Sequence, residues 1–466
     1  MFADVPELDG TLVFTEDALT ANSRDTGNIF HERPHAVLRP GSVKDIRKMI
    51  RFCGAHDIKV APRGLQGKSD LDSPQLGGSF MGGGLVQGGL AIEMRWLNKI
   101  HSIGPDGAVV DAGLQWDDLI RAAYDKGLTP PAITGYTQLT VGGTIAYGGY
   151  PTWSTNRGGS QADRVQWIEV VTGTGEFKRC SPSENSDLFH AVLGGQGQFG
   201  VMTRAKLDLV PAKQMARTYL LTYPQTTTFD TKAFFKDFRI LLDRNEFSFV
   251  TQLNPPATVT PFTIAANIFY DQGSEPDTAH LLRDLSISPE AVPFSDKPYL
   301  DLIFSVDQGY DTFKAMLDWD NKIHPWSTLF IPDDKVEQFF DAVLPTLTTR
   351  DLGGTGFLIT WPSLRADYKR PLVRVPDNGK WVWLFGLTTD SDAPAPDTAY
   401  VTEMLARNRR LWEKAVELGG MVEPECPPDL TSAEWQKHYA PVWSKFSAWK
   451  RKFDPDHILT PGPGIF

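Results

Sequence analysis

Residues 60–70, with the sequence VAPRGLQGKSD, combine a short apolar run with glycine, arginine, lysine and serine. Glycines allow several backbone N–H groups to point at one anion, and the basic side chains add positive charge. The segment therefore predicts a strand that runs into a phosphate-binding loop. It does not match a Walker loop, and no GxGxxG follows a strand with an acidic residue placed to hold a ribose. A nicotinamide-type Rossmann site is therefore not expected.

A second glycine-rich segment, residues 139–160, reads LTVGGTIAYGGYPTWSTNRGGS and holds its glycines in pairs. Two interpretations are open: a long flexible surface loop, or a backbone pressed against a flat, rigid ligand. Tyr147, Tyr150 and Trp153 favour the second interpretation, because a solvated linker would not need them. Residues 193–207, LGGQGQFGVMTRAKL, repeat the pattern as a glycine-rich turn that enters a strand.

The elements that must position these loops alternate between strand and helix up to about residue 210. Apolar spacing predicts a helix from residue 43, with Ser42 as its N-cap, followed by a strand in KVAPRG. A second helix begins near Trp116 and is ended by Gly127. The segment DRVQWIEVVTGTGEFKRC predicts two strands joined by a turn. This alternation indicates an α+β or α/β domain.

The pattern changes between about residue 211 and residue 425. Alternating or continuous apolar runs such as FTIAANIFYD, WSTLFIP and KWVWLFGLTT are separated by helical stretches such as DDKVEQFFDAVLPTL. We expect a sheet covered by helices on one face. From residue 431 the sequence predicts one amphipathic helix and then a proline- and glycine-rich tail, packed down through Ile465 and Phe466.

Composition excludes several classes of protein. A chain of 466 residues is too long for one ordinary core and predicts two domains. The formal net charge of −11 argues against a nucleic-acid partner, which demands a basic surface. Cys53, Cys180 and Cys426 lack metal-ligand spacing, so no metal site is expected. No run of about 18 apolar residues and no signal-like N-terminus occurs, so we expect no membrane association and a cytoplasmic protein.

Several motifs, taken in order, resemble the FAD-binding PCMH-type domain of the vanillyl-alcohol-oxidase superfamily: RPGSVKDI, PRGLQGKS, VVDAGLQWDDL, LTVGGT and VVTGTGEF. HPWSTLFIP, WPSLRADYKRPLVRVPDNGKWVWLFGL and KFDPDHILTPGPGIF extend the resemblance to the cytokinin dehydrogenases, over roughly residues 30–466. The resemblance implies an α+β, two-domain fold with an inserted substrate domain, an antiparallel sheet covered by helices. Residues 1–210 would form the FAD-binding domain and 211–428 the substrate-binding domain, and 429–466 would return to the FAD domain.

The resemblance also implies a set of cofactor-binding residues. The loop of residues 62–69 would wrap the FAD pyrophosphate through its backbone N–H groups. For Arg63, a charge contact with the cofactor and a purely structural contact remain equally open. The expected FAD-binding residues are Arg63, Gly64, Leu65, Gln66, Gly67, Lys68, Ser69, Gly135, Thr140, Gly142, Gly143, Gly148, Gly149 and Val201.

One departure from the family concerns the flavin linkage. Family members usually carry a histidine in a GHS triplet that bonds covalently to the flavin, and the matching triplet here is Gly67-Lys68-Ser69. A lysine amine is mostly protonated at pH 7 and does not replace imidazole in this linkage. The glycine-rich loop also offers no cysteine for a second bond. We therefore expect FAD to be bound non-covalently.

A second departure concerns the chemistry. The aspartate that accepts a proton from the substrate amine in cytokinin dehydrogenases is matched by Gly135, whose lack of a side chain rules out that role. Thr251 and Gln252 lie where a substrate-domain carboxylate is expected, and Pro463 replaces the glutamine of the C-terminal motif. The amine-oxidising machinery has therefore been removed or moved.

Replacement groups are sought near the expected flavin face. Tyr136, Gln138, Tyr147 and Tyr150 lie there, although tyrosines are more often core residues. Tyr136, Tyr150 and Glu425 are the candidate catalytic residues, whereas His324 and His438 are expected to be structural.

Two functional classes remain open. The first is an FAD-dependent oxidoreductase that takes hydride from a small, largely hydrophobic or aromatic substrate. Its electron acceptor would be O2 or another small oxidant. Anaerobic reduction of the flavin by candidate substrates would distinguish this class from the second. This class includes a true cytokinin dehydrogenase with a relocated base. The second is a flavin-binding scaffold with non-redox chemistry.

Overall fold

A computed structural model describes residue 2 and residues 4–64, 79–154, 158–223, 231–254, 257–259 and 262–466. The predicted phosphate-loop residues Leu65, Gln66, Gly67, Lys68 and Ser69 lie outside this part of the chain. The strands are β1 Thr11–Val13, β2 Ala36–Arg39, β3 Val60–Arg63, β4 Leu90–Glu93, β5 Ile100–Gly104, β6 Gly107–Asp111, β7 Leu128–Thr129, β8 Ala132–Ile133, β9 Trp153–Ser154, β10 Val165–Thr172, β11 Phe177–Cys180, β12 Gly200–Leu207, β13 Val210–Pro211, β14 Met215–Tyr223, β15 Phe249–Leu253, β16 Phe262–Tyr270, β17 Phe294–Pro298, β18 Ser327–Pro332, β19 Leu358–Leu364, β20 Trp381–Leu387 and β21 Met421–Val422. The α-helices are α1 Glu16–Ala21, α2 Val43–Ala55, α3 Trp116–Tyr124, α4 Val141–Tyr147, α5 Ser186–Val192, α6 Thr231–Arg244, α7 Thr278–Leu281, α8 Tyr299–Ile303, α9 Ser305–Leu317, α10 Val336–Val343, α11 Thr398–Glu417, α12 Ser432–His438 and α13 Trp443–Phe453.

A small mixed sheet carries the predicted phosphate-binding strand. Within the described residues its strand order is β1-β2-β4-β3, with β2 and β3 both parallel to β4. The connecting helix α2 begins at a capping box, in which Ser42 and Asp45 satisfy each other's backbone N–H groups. Its apolar residues, including Ile46 and Ile50, are fully buried. The predicted helix and strand are confirmed, and β3 delivers Arg63 and Gly64 to the centre of the molecule.

A second sheet in the N-terminal half is antiparallel. Its order in the described chain is β11-β10-β12-β6-β5, and β10 and β11 form the predicted pair around a tight turn that uses Gly175 at φ +72°. The glycine-rich segment at residues 193–207 enters β12 at Gly200, as its pattern predicts. The paired glycines Gly142 and Gly143 lie in the short helix α4.

The largest sheet is formed by residues after 211. Among the described strands its order is β17-β14-β16-β15-β19-β20-β18-β21, and every neighbouring pair is antiparallel. Side chains alternate between its two faces. Trp383 packs edge-on against Phe235 of α6, and Phe385 packs against Phe339 of α10. Leu384, between them, points to the opposite face and lines a cavity.

The C-terminal segment differs from the prediction of one amphipathic helix. It forms α12 and α13 with a break between His438 and Trp443. Pro441 lies in this break, and proline lacks the N–H that a continuous helix would need. After α13 the chain returns to β3, where Val60 N–H donates to Ile458 O and Thr460 N–H donates to Val60 O. Ile465 is buried, as expected, whereas Phe466 stacks on Trp443 and Phe446 but is 44% exposed.

These sheets and helices give the α+β architecture that the sequence predicts. The two sheets formed before residue 210 and the large sheet formed after residue 211 fit the two-domain arrangement that the sequence predicts. The domain boundaries at residues 210 and 428 stay a prediction.

Candidate active site

A cavity of about 520 Å³ is lined by residues from both halves of the chain. Its walls are formed by helix α4 and the loops on either side of it, by one face of the large sheet, by α9 and by the segment that follows β21. Most of its wall is apolar or aromatic, which is usual for a site that binds a flat organic molecule. Aromatic side chains in the wall are Tyr136, Trp153, Tyr310, Phe313, Trp326 and Trp361.

Glycines form one wall of this cavity at positions where a side chain would collide with the protein. A Cβ at Gly142 would lie 2.8 Å from the Ala112 Cβ and 3.1 Å from the Ala112 carbonyl oxygen. Gly149 has φ +69°, and a Cβ there would lie 2.3 Å from Gln161 Oε1. The backbone therefore approaches both the cavity and its supporting residues closely, which only glycine permits.

Arg63 brings a buried positive charge to the cavity wall. Its Nη2 donates to the Arg24 carbonyl oxygen at 3.0 Å, whereas Nη1 has no hydrogen-bond partner among the described residues. Burial lowers the pKa of Arg63 to about 10, and the nearby Asp25 and Glu93 act in the opposite direction. The guanidinium stays protonated at pH 7 and has a free donor, which suits an anionic group such as a diphosphate.

The structure brings together most of the described residues that were predicted to bind the cofactor. The residues in the cavity wall are Arg63, Gly64, Gly135, Thr140, Gly142, Gly143, Gly149 and Val201. Gly148 does not line the cavity; it ends α4 with φ +108° and redirects the chain towards Gly149. The roles of these residues towards FAD stay a prediction.

Gly135 and Tyr136 lie on one side of the cavity. The carbonyl oxygen of Gly135 accepts a hydrogen bond of 3.4 Å from Trp153 Nε1. The Tyr136 hydroxyl donates to Gln138 Oε1 at 3.2 Å, and the ring packs edge-on against Tyr310. Burial and nearby carboxylates raise the pKa of Tyr136 well above that of a free tyrosine. Tyr136 is therefore a neutral hydrogen-bonding group at pH 7 and not a base, and Gln138 lies behind it outside the cavity wall.

Tyr147 and Tyr150 add two tyrosine side chains to the residues that line the same cavity. Both side chains line the cavity, and neither hydroxyl has a hydrogen-bond partner in the described part of the chain. Burial raises the pKa of each, and the charges of Glu425 and Glu423 add to this for Tyr147. Both tyrosines can donate a proton in a hydrogen bond to a ligand or accept one from it.

Two carboxylates, Glu423 and Glu425, line the cavity directly after β21. Glu423 is 4% exposed, and its Oε2 accepts a 3.1 Å hydrogen bond from the backbone N–H of Glu425. Glu425 is half-buried because it borders the cavity. Burial raises the pKa of Glu425 to about 7, and burial together with the charge of Glu425 raises the pKa of Glu423 well above its usual value. Two close carboxyls of this kind share a proton near neutral pH.

The large sheet contributes amide and hydroxyl groups where a carboxylate is expected from the family pattern. Thr251 and Gln252 of β15 both line the cavity. Gln252 Nε2 donates to Asn254 Oδ1 at 2.6 Å, whereas its Oε1 has no partner among the described residues. This wall therefore offers a hydrogen-bond acceptor but no negative charge.

The two histidines considered in the sequence lie outside the cavity wall. His324 is fully buried, with Nδ1 2.6 Å from Asp390 Oδ1 and Nε2 3.0 Å from the Trp319 carbonyl oxygen. Burial lowers the pKa of His438 to about 3, so this side chain is neutral. Within the described ranges, no group of three or more potential ligands is placed to hold a metal ion. No helix in that part of the chain is long and apolar enough to cross a membrane.

Sequence reasoning missed several residues of the site. Glu423 was overlooked beside Glu425, although the short spacing in VEPEC was a usable signal. Tyr310 and Phe313 reach the cavity from α9, three residues apart on one face of the helix. Trp326 lines it with an Nε1 that has no partner among the described residues. These residues lie far from the glycine loops in sequence, so only the folded chain reveals their proximity.

Comparison with known proteins agrees with this geometry. Residues 227–466 match the family described as cytokinin dehydrogenase 1, FAD and cytokinin binding. Residues 34–181 match a family described as an FAD binding domain.

Relatives align over nearly the whole chain. An oxidoreductase from Rhodococcoides fascians, named "Uncharacterized oxidoreductase ORF5 in fasciation locus", is 32% identical over 450 residues, covering 96% of this chain and 97% of its own. Cytokinin dehydrogenase 9 from Oryza sativa subsp. japonica is 30% identical over 494 residues, covering 98% and 91% of the two chains. Cytokinin dehydrogenase 4 from Arabidopsis thaliana is 28% identical over 495 residues, covering 96% and 91%.

Proposed function

The chain belongs to the cytokinin dehydrogenase family of FAD-dependent oxidoreductases, and from this premise we propose that it oxidises a small, largely hydrophobic or aromatic substrate by hydride transfer to a non-covalently bound FAD. The aromatic wall of the cavity supports a flat substrate. O2 or another small oxidant would reoxidise the reduced FAD. Diversion of the enzyme to specialised metabolism is part of the proposal, because the family's usual proton acceptor is replaced by Gly135.

The described residues fit FAD. The glycines at 142, 143 and 149 provide a backbone surface with no side chains, which suits a flat ring system. Arg63, with its free Nη1, would neutralise part of the diphosphate charge. When bound, FAD supplies the acceptor for a hydride from the substrate carbon.

Glu425 is the main observation in support of this proposal, because it places an ionisable carboxylate in the cavity wall. Removal of hydride from a carbon next to nitrogen or oxygen leaves a proton on the heteroatom that a base must accept. The pKa of Glu425, raised by burial to about 7, makes its carboxylate a base that is available near neutral pH and strong enough to hold the proton. Glu425 would therefore replace the aspartate that the family position at Gly135 lacks.

Tyr150 and Tyr136 would orient the substrate and not exchange protons with it. The free hydroxyl of Tyr150 can bind the substrate heteroatom, while the Tyr136 ring would form a side wall held by its bond to Gln138. Their raised pKa values keep both hydroxyls neutral during the reaction.

The test is anaerobic mixing of the FAD-loaded protein with a panel of aromatic and allylic amines and alcohols, followed by absorbance at 450 nm. We expect at least one compound to bleach the flavin. Glu425→Gln should slow bleaching by about 100- to 10,000-fold, the usual loss when a general base is removed. Glu184→Gln, the same change at an exposed position outside the cavity, should have no effect. If no amine or alcohol reduces the flavin, or if Glu425→Gln reacts at the parental rate, the proposal is wrong.

A further inference from the structure

We propose that the substrate enters this cavity as a cation, with its positively charged nitrogen bound between Glu423, Glu425 and the free tyrosine hydroxyls. The inference rests on the proposed function only in treating the cavity as the substrate site. It adds the substrate's charge, which neither the family nor the proposed redox step specifies.

The first support is the absence of a counter-charge for the pair among the described residues. Neither Glu423 nor Glu425 forms an ion pair with another described residue. No cationic side chain among the described residues lowers the pKa of either carboxyl group. Glu423 is stabilised only by backbone N–H groups, those of Glu425 and Cys426. The charges of Glu423 and Glu425 raise the pKa values of the titratable groups around them, which are Tyr147, Tyr150, Tyr310, Cys426 and Tyr439. All of them have raised pKa values, so they stay neutral at pH 7 and leave the negative charge uncompensated.

The second, independent support is two unpartnered tyrosine hydroxyls near the glutamates, whose charges act on both of them. Tyr150 is 7% exposed and lines the cavity, yet its hydroxyl has no hydrogen-bond partner among the described residues. Tyr147 presents a second such hydroxyl. A buried polar group without a partner is costly, so a ligand that bonds to it gains affinity. An ammonium group has three N–H donors, and two carboxylates with a tyrosine oxygen supply three acceptors.

The aromatic wall favours the same class of ligand. Tyr310 and Trp326 line the cavity, with ring centroids 6.2 Å apart. Electron-rich ring faces attract cations, and the attraction strengthens where water is excluded. A neutral substrate would leave the glutamate pair sharing one proton, whereas a cation would displace that proton and pair with the charge. Cation binding should therefore release a proton from the protein near neutral pH.

Phenethylamine and 2-phenylethanol test the inference, because they have the same shape and differ in carrying an ammonium or a hydroxyl group. Each is titrated calorimetrically into the FAD-loaded protein at pH 8. We expect the amine to bind at least about tenfold more tightly, a difference of about 1.4 kcal/mol. At pH 5, where Glu425 is protonated, the preference should shrink. Titrations at pH 7 in phosphate and in Tris should reveal a released proton through the difference in buffer ionisation enthalpy.

Variants of Glu423 and Glu425 test whether these two residues cause the preference for the amine. Glu425→Gln should reduce the amine preference to about threefold or less and abolish proton release, and Glu423→Gln should do so in part. Glu184→Gln is the matched surface control and should keep both. Equal binding of the two probes overturns the inference. So does a preference that survives both cavity variants, or absence of amine binding up to about 10 mM for phenethylamine, benzylamine and tryptamine.

The outcome separates this inference from the proposed function. Cation-selective binding without flavin reduction by any amine would leave the inference standing and overturn the redox proposal. Flavin reduction by neutral alcohols, with no amine preference in binding, would support the redox proposal and overturn the inference of a cationic substrate.

Discussion

Thr137 donates two hydrogen bonds to the carboxylate of Asp307, one from its backbone N–H at 2.8 Å and one from its hydroxyl at 2.5 Å. Thr137 lies two residues after Gly135, and Asp307 lies in the first turn of α9. The same helix carries Tyr310 and Phe313 into the cavity wall. This pair therefore fastens the helix that borders the cavity to the loop that carries Gly135.

The first prediction concerns the pH dependence of this contact. Burial, with the charges of Asp117 and Asp311, raises the pKa of Asp307 to about 6 despite the bonds from Thr137. Because the folded-state pKa lies above the unfolded value of about 3.9, the stabilising contribution is complete at low pH and is lost as pH rises through about 6. The stability of the parent relative to Asp307→Asn should therefore fall by about 2 kcal/mol between pH 4 and pH 7.

Urea denaturation of the parent and of Asp307→Asn at several pH values measures this difference. Asp301→Asn, at an exposed position on α8, is the matched control and should show a much smaller dependence on pH. A difference between parent and Asp307→Asn that stays constant from pH 4 to pH 7 would contradict the prediction.

Local patterns predicted local structure well, and the same patterns missed the long-range contacts. Ser42 predicted the start of α2 because a cap involves only neighbouring residues. The continuous apolar run in β20 predicted a buried strand, and all 7 of its residues are buried. The bond between Thr137 and Asp307 joins residues 170 positions apart, and nothing in either segment signals the other. The segment VEPEC shows two neighbouring glutamates, but only the fold shows that both of them line the cavity.

The second prediction concerns the glycine wall. Gly142→Ala should strongly reduce FAD occupancy, because its Cβ would lie 2.8 Å from the Ala112 Cβ and 3.1 Å from the Ala112 carbonyl oxygen. These are backbone and near-backbone atoms that cannot rotate away, so the wall itself must move. The ratio of absorbance at 450 nm to that at 280 nm after gel filtration measures occupancy. Gly104→Ala is the control, because a Cβ there meets no atom within 4 Å. Equal occupancy in both variants would show that FAD does not depend on this wall.

The third prediction is that FAD can be released without breaking a bond. The sequence predicts that Lys68 takes the position of the family's covalent histidine, and a lysine amine is ordinarily protonated at pH 7. Acid precipitation should therefore leave the yellow flavin in the supernatant. Flavin fluorescence that stays with the protein band on a denaturing gel would refute this prediction.

The fourth prediction concerns the missing proton acceptor. Gly135 lines the cavity, and a Cβ at this position would lie 3.1 Å from Thr152 Oγ1, close enough to require only a small shift. If Gly135 takes the position of the family's base, as the sequence predicts, Gly135→Asp would return a carboxylate there at tolerable steric cost. We expect the parent to oxidise N6-isopentenyladenine weakly or not at all and Gly135→Asp to gain activity, since a general base typically contributes about 100- to 10,000-fold. Gly135→Asn, which is nearly the same size but cannot accept the proton as a base, should stay inactive. The assay is anaerobic flavin reduction by isopentenyladenine, repeated with an artificial acceptor for turnover. Parental turnover as fast as that of the aspartate variant would contradict this prediction, because Glu425 would then serve as the base for isopentenyladenine as well.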